Sequence, residues 1–280
     1  GKILLQEKNQ LVMSPNGHGG SLKALVDSGS IALMEEDEID CISYFQVDNP
    51  MVYCMDPTFI GLHKASGSEM SSKAVKKLSP KERVGTFVQI GETLQVMEYS
   101  DIPPQISSEK LKNGSLRFGL GSIAIHLLER NFVNRVAGSK ETERQGLKYH
   151  GAHKKVCCLD NKGSRVDPQK PNAIKAETFV FDALPLAHNP LLMEINRKEE
   201  FGPIKNPTGS DSRASSEKLQ ISRNQRWLKV LGEVGKLNKV EISPLFAPTL
   251  PFFLEQTSKF PIDPKKLSKD SALIELQNTK

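Results

Sequence analysis

Aromatic residues able to stack on bases are few in this chain, with one Trp and four Tyr among 280 residues, and that argues against a nucleic-acid platform. Cysteine is equally sparse: Cys41, Cys54, Cys157 and Cys158 fall in no spacing that suits a zinc ribbon or a secreted disulfide framework. A reducing cytoplasm is the expected compartment. No apolar run approaches the ~20 residues that span a bilayer, and no basic-then-apolar leader opens the chain, so no membrane association is expected. Neither sign of charge is concentrated, since 38 basic and 33 acidic residues are mixed along the sequence. The resulting +5 tolerates an anionic small substrate but lacks the clustering of a nucleic-acid footprint. With 38% hydrophobic residues, the chain can bury the core of one large or two small globular domains.

What the sequence does contain is a glycine-rich turn, Pro15-Asn16-Gly17-His18-Gly19-Gly20, placed just ahead of an amphipathic stretch at Ser21–Ser28. Glycines remove the Cβ atoms that keep backbone amides from a ligand, so a planar or anionic group can lie on such a loop at a helix N-terminus. A simple chain reversal explains the same glycines equally well. Further along, Ile31–Asp40 reads as helix and Ile42–Val47 as a buried strand. Asp56-Pro57 opens a helix, with Asp as the cap and Pro in the first turn.

Met70–Leu78 reads as a half-exposed strand, and Gly85–Ile90 with Leu94–Tyr99 as a hairpin joined by Gly91-Glu92-Thr93. Ile123–Phe132 and Pro171–Leu184 carry apolar residues at helical spacing. Gly138–Lys148 is polar enough for a mobile loop, Leu192–Asn196 reads as a strand, and Glu217–Leu231 as a helix carrying Trp227. From Ser243 onward, repeated prolines suggest coil. Alternating strands and helices imply an α/β fold with a mixed, mostly parallel sheet flanked by helices.

Ligands of open α/β sheets bind beyond the strands' carboxyl ends, and four polar groups are expected there: the glycine loop, Asp48, Glu98 and Lys205. Asp48 suits either Mg²⁺ or a turn before Asn49-Pro50. Glu98 suits sugar hydroxyls or a solvated hairpin end. Lys205 suits charge neutralisation on a phosphoryl group or an ordinary loop. His150 and His153 have no partner at metal-ligand spacing and are expected in a solvated loop, and His126 is expected as a satisfied core histidine on a helix.

The order of these blocks resembles the UDP-sugar pyrophosphorylase family, closest to the UDP-N-acetylhexosamine pyrophosphorylases and their bacterial relatives. The matching segments run from the glycine loop through Gln46-Val47-Asp48-Asn49-Pro50, Asp56-Pro57-Thr58-Phe59-Ile60-Gly61, Val84-Gly85 and Glu98-Tyr99-Ser100-Asp101. They continue through Gly121-Ser122-Ile123-Ala124, Phe179-Val180-Phe181-Asp182 and Glu199-Glu200-Phe201-Gly202-Pro203-Ile204-Lys205-Asn206 to Glu241-Ile242-Ser243-Pro244.

The resemblance implies a uridylyltransferase that joins UTP and a sugar 1-phosphate, N-acetylglucosamine 1-phosphate first among them, to give UDP-sugar and pyrophosphate with Mg²⁺. Gly17 and His18 are then expected against uracil, and Asp48 on metal and nucleotide phosphates. Gly85, Glu98 and Ser122 are expected on the sugar, Phe179 and Phe181 as pocket walls, and Lys205 as the catalytic cation.

Two departures stand out. Ser122 replaces an Asn common in the family, which leaves the sugar open. The family's G-G-x-G-T-R phosphate loop has no counterpart in residues 1–13, so the fold is expected to lack its first βα segment and the chain to have impaired turnover. Residues 1–246 are expected as an incomplete nucleotidyltransferase domain and 247–280 as a tail. A non-catalytic UDP-sugar-binding protein is the alternative.

Overall fold

A computed structural model describes residues 2–137, 146–232, 238–267 and 271–275. Most of the polar loop expected at 138–148 lies outside them. The chain starts with a hairpin, β1 (Leu5–Glu7) and β2 (Gln10–Leu11), ahead of the glycine loop. Helices α1 (Gly20–Asp27) and α2 (Ser30–Glu36) follow, divided at Gly29, whose φ of 78° permits the sharp break. Next come β3 (Cys41–Tyr44) and α3 (Pro57–Ser66), where the Asp56 carboxylate accepts the Thr58 and Phe59 amides as the sequence implied.

The middle of the chain supplies β4 (Met70–Lys76), the hairpin β5 (Gly85–Ile90) and β6 (Thr93–Met97), α4 (Pro104–Ser107), β7 (Leu120–Glu129) and α5 (Arg130–Ala137). An arm follows, made of β8 (Tyr149–Lys154), the short β9 (Cys158–Leu159) and β10 (Arg165–Val166), and β11 (Ala173–Thr178). The last elements are β12 (Leu191–Glu194), α6 (Arg197–Glu200), α7 (Arg213–Val230), β13 (Lys239–Ile242), α8 (Leu250–Lys259) and β14 (Ser271–Ile274).

Six strands make the central sheet, in the order β12-β4-β7-β5-β6, with β3 on the same edge of β7 as β5. The sheet is mixed and flanked by helices, but only β12 and β4 run parallel; the other four pairings are antiparallel, against the mostly parallel sheet expected. Strand β7 is the spine. It was expected as a helix, because Ile123, Leu127 and Leu128 satisfy helical spacing. The same stretch satisfies period two, and its burial on both faces decides the matter: Ile123, Ile125 and Leu127 enter a core cluster with Phe59 and Phe201, while Leu128 enters another with Phe132 and Val180.

Other expectations are corrected by the same logic of tertiary burial. Strand β4 is buried throughout except at Lys76, not half-exposed. The hairpin turn has two residues, since Ile90 pairs with Thr93 and Gly91 takes a φ of 61°. Residues 171–184 form β11, paired antiparallel with β8, and then a 3₁₀ turn at Val180–Leu186, where a helix had been expected. The segment after Ser243 packs instead of running as coil, with Phe253 of α8 fully buried against Trp227 in a cluster that also holds Phe246 and Ile274. Among the described residues, no helix is long and apolar enough to cross a membrane.

Candidate functional site

The glycine loop is held before any ligand arrives. Gly19 N–H donates to the Thr178 carbonyl at 2.8 Å, and the Thr178 amide and hydroxyl both donate to the Asn16 carbonyl. A Cβ on Gly17, where φ is 65°, would stand 2.4 Å from Thr178 O. At Gly17 and Gly19 the bare backbone thus serves close packing against the end of β11, which favours the chain-reversal reading over an open ligand surface, both of which the sequence left open. That packing delivers His18 into a ring cluster with Phe179 at 5.0 Å and Phe181 at 5.7 Å. Val180 N–H donates to His18 Nδ1 at 3.1 Å, so the proton of the neutral ring sits on Nε2 as a donor for incoming groups. Burial, opposed by Glu177, pulls the His18 pKa below its ordinary value and favours that neutral form.

Asp48 and Lys205 lie on two loops fastened together from beneath. Buried Asn49 donates from Nδ2 to the Glu200 carbonyl at 2.7 Å, and its Oδ1 accepts the Gly202 and Met51 amides. Ile204 N–H donates to the Asp48 carbonyl at 2.8 Å. Below this seam, fully buried Lys73 of β4 reaches Asp56 Oδ2 at 2.6 Å and Glu200 Oε2 at 2.5 Å. Burial pushes the Glu200 pKa up and the Lys73 ammonium pulls it back. Lys205 Nζ stands 3.9 Å from Asp48 Oδ2, at the limit of ion pairing, and both side chains reach solvent.

The opposite wall is made of strands. Gly85 and Ser122 face each other across β5 and β7, and Glu98 follows the end of β6. Burial, reinforced by Asp101, raises the Glu98 pKa. Between the pairs Ser72–His126 and Ala74–Ser122, three residues of β7 run against one of β4, and Ala124 in this bulge has a φ of 55°. Bulges of this kind re-aim side chains beside sites. Behind them His126 is fully buried, with Nδ1 2.8 Å from Ser72 Oγ and Nε2 without a partner among the described residues; it is a strand residue, and only half satisfied there. Its pKa is lowered to about 3 by burial.

His18, Asp48, Gly85, Glu98, Ser122, Phe181 and Lys205 line one cleft of about 310 Å³. Gly17 and Phe179 lie behind it, in the packed loop and the ring cluster. Seven further lining residues were not singled out as site residues from the sequence: Gln46, Arg83, Val84, Tyr99, Ile123, Ala124 and Phe201. All but Arg83 lie inside the blocks that carry the family resemblance, and Arg83 directly precedes Val84-Gly85, so membership of or adjacency to those blocks was the available signal. His150, placed by sequence in a solvated loop, instead belongs to β8, with Nε2 2.8 Å from Asp182 Oδ2 and its ring 4.8 Å from Phe179.

The sequence profile of the UTP–glucose-1-phosphate uridylyltransferase family matches residues 2–279. The chain belongs to this family. It is 38% identical over 229 residues to human UDP-N-acetylhexosamine pyrophosphorylase-like protein 1, a match covering 81% of the chain and 45% of that protein. A crystal structure of an Entamoeba histolytica candidate UDP-N-acetylglucosamine pyrophosphorylase superposes with a TM-score of 0.76 at 30% identity, covering 99% of this chain and 66% of that one. The Trypanosoma brucei UDP-N-acetylglucosamine pyrophosphorylase shares the fold, with a TM-score of 0.78 at 24% identity and coverage of 99% and 58%. The chain spans about half the length of the curated relatives it matches.

Proposed function

We propose that this chain carries the uridine and sugar side of a uridylyltransferase active site, in which a sugar 1-phosphate oxygen attacks the α-phosphate of UTP and pyrophosphate leaves. The supporting observation is the convergence of seven separately encoded side chains and backbone positions on one cleft. Lys205 neutralises charge on the transferring phosphoryl group, and Arg83, which has no carboxylate partner among the described residues, adds a second cation at the rim. His18 meets the uracil with Nε2–H as donor, and Gly17, expected there too, shapes the packed loop that presents it. Gly85, Glu98 and Ser122 receive the sugar hydroxyls, and Phe181, backed by Phe179 at 5.1 Å, closes the apolar side.

Asp48 suits Mg²⁺, because among the described residues its partly exposed carboxylate is contacted only at 3.9 Å by Lys205 and so keeps oxygens free for a hard cation. When bound, the metal neutralises phosphate charge. N-acetylglucosamine 1-phosphate is the favoured sugar substrate, in keeping with the names of the solved neighbours. A cytoplasmic setting fits the four free cysteines. Calorimetry with UDP-N-acetylglucosamine tests the binding reading, and pyrophosphate release from UTP and the sugar 1-phosphate tests turnover. Single-site binding that Lys205→Ala weakens supports the assignment, and absence of any nucleotide-sugar binding overturns it.

A further inference from the structure

A second set of ligating groups lies away from the cleft, where β3 and β7 pair at their far ends. Cys41 sits opposite Glu129 in that pairing, and α3 lays His63 over both. Glu129 is seven residues along β7 from Ser122, and with the bulge compressing Ser122–His126 to two residue rises the two lie roughly 17 Å apart at the usual strand rise. One ligand atom each from Cys41, His63 and Glu129 lies within 4.8 Å of the others.

His63 is fully buried, and its orientation is fixed: Nδ1 meets Ser71 Oγ at 2.7 Å while Nε2 points at Glu129 Oε1, 2.9 Å away. A hydrogen bond on the far ring nitrogen is how metal-bound histidines are held. Lys64 Nζ rests 2.7 Å from the same Glu129 oxygen, and 2.9 Å from Asp40 Oδ2.

We propose that Cys41 Sγ, His63 Nε2 and a Glu129 carboxylate oxygen form a zinc site with water in the fourth position, for which the Lys64 ammonium is the stand-in charge in the metal-free chain. The mixed sulfur, nitrogen and oxygen set suits Zn²⁺ and not Mg²⁺, which takes oxygen ligands. On uptake the Cys41 thiol loses its proton to solvent, His63 binds as the neutral ring and Glu129 as the carboxylate. Lys64 then keeps Asp40, its other partner. The ion fastens the start of β3 to β7 and α3, and β3 leads directly to the loop that carries Asp48.

The metal-free chain is titrated with Co²⁺, followed by absorbance, in the native protein, in Cys41→Ser and in a triple variant, Cys54→Ser with Cys157→Ser and Cys158→Ser, that keeps Cys41. Native chain and triple variant should each bind one Co²⁺, with a thiolate charge-transfer band and the intense visible bands of four-coordination, and Zn²⁺ should bleach both. Cys41→Ser should keep the native circular dichroism and lose the thiolate band, and Zn²⁺ should raise the thermal midpoint of the native chain but not of this variant. Absence of the band in the native chain, its persistence in Cys41→Ser, or its loss in the triple variant would overturn the proposal.

Discussion

The two walls of the cleft are built on different principles. On the phosphate side, Asp48 and Lys205 ride on loops whose shape comes from buried polar groups: Asn49 bridging to Glu200 and Gly202, and Lys73 bridging Asp56 to Glu200. On the sugar side, Gly85, Glu98 and Ser122 are placed by the hairpin and by β7, so regular backbone pairing does the positioning. The first wall depends on a few desolvated charges and amides, and the second on a ladder with many contributors. Damage should therefore be concentrated in the first and diluted in the second.

The sharpest way to break this contrast is Lys73→Met. It strands the Asp56 and Glu200 carboxylates against a dry interior, and removing one member of a buried ion network costs on the order of 3–5 kcal/mol. Denaturant unfolding should show that loss, and a cost under about 1 kcal/mol would mean the triad holds nothing. Asn49→Ala should come next, about 2 kcal/mol for one donor and two accepted amides, with weakened UDP-sugar binding as the Asp48 loop loosens.

On the sugar side the test is pH. An unfolded histidine takes up a proton as pH falls through its ordinary value of 6.5, but folded His126 resists until about 3. The unfolded state binds more protons across that window, so stability should fall as pH falls through it. His126→Asn should flatten that part of the unfolding profile, and an unchanged slope would place its origin elsewhere. Smallest is Ala124→Gly: relieving a left-handed alanine in the β7 bulge should raise stability by about 1 kcal/mol. A loss instead would mean the methyl group is needed in the cleft wall.

The same division explains what could be read from the residues beforehand. The Asp56-Pro57 helix start, the break at Gly29 and the β5–β6 hairpin are local chemistry, and local chemistry survives folding. The site residues were legible because each sits in a short block next to a turn, whatever the surrounding element. Strand β7 was misread because buried isoleucines fit two periods at once, and only its neighbours on both edges choose between them. Strand β4 was read as half-exposed because a lysine inside it, Lys73, signals exposure until two distant carboxylates, Asp56 and Glu200, are brought to it. His150 was misread for the same reason, since its partner Asp182 lies 32 residues away.

The most direct test of the central claim is calorimetry of UDP and of UDP-N-acetylglucosamine on three proteins: the native chain, Lys205→Ala and Glu98→Gln. If the two walls divide phosphate from sugar, Lys205→Ala should weaken both ligands by about tenfold or more, the worth of one charged hydrogen bond. Glu98→Gln should weaken the UDP-sugar while leaving UDP alone unchanged. Equal affinities across all three proteins, or a Glu98→Gln effect as large on UDP as on the sugar nucleotide, would contradict the account.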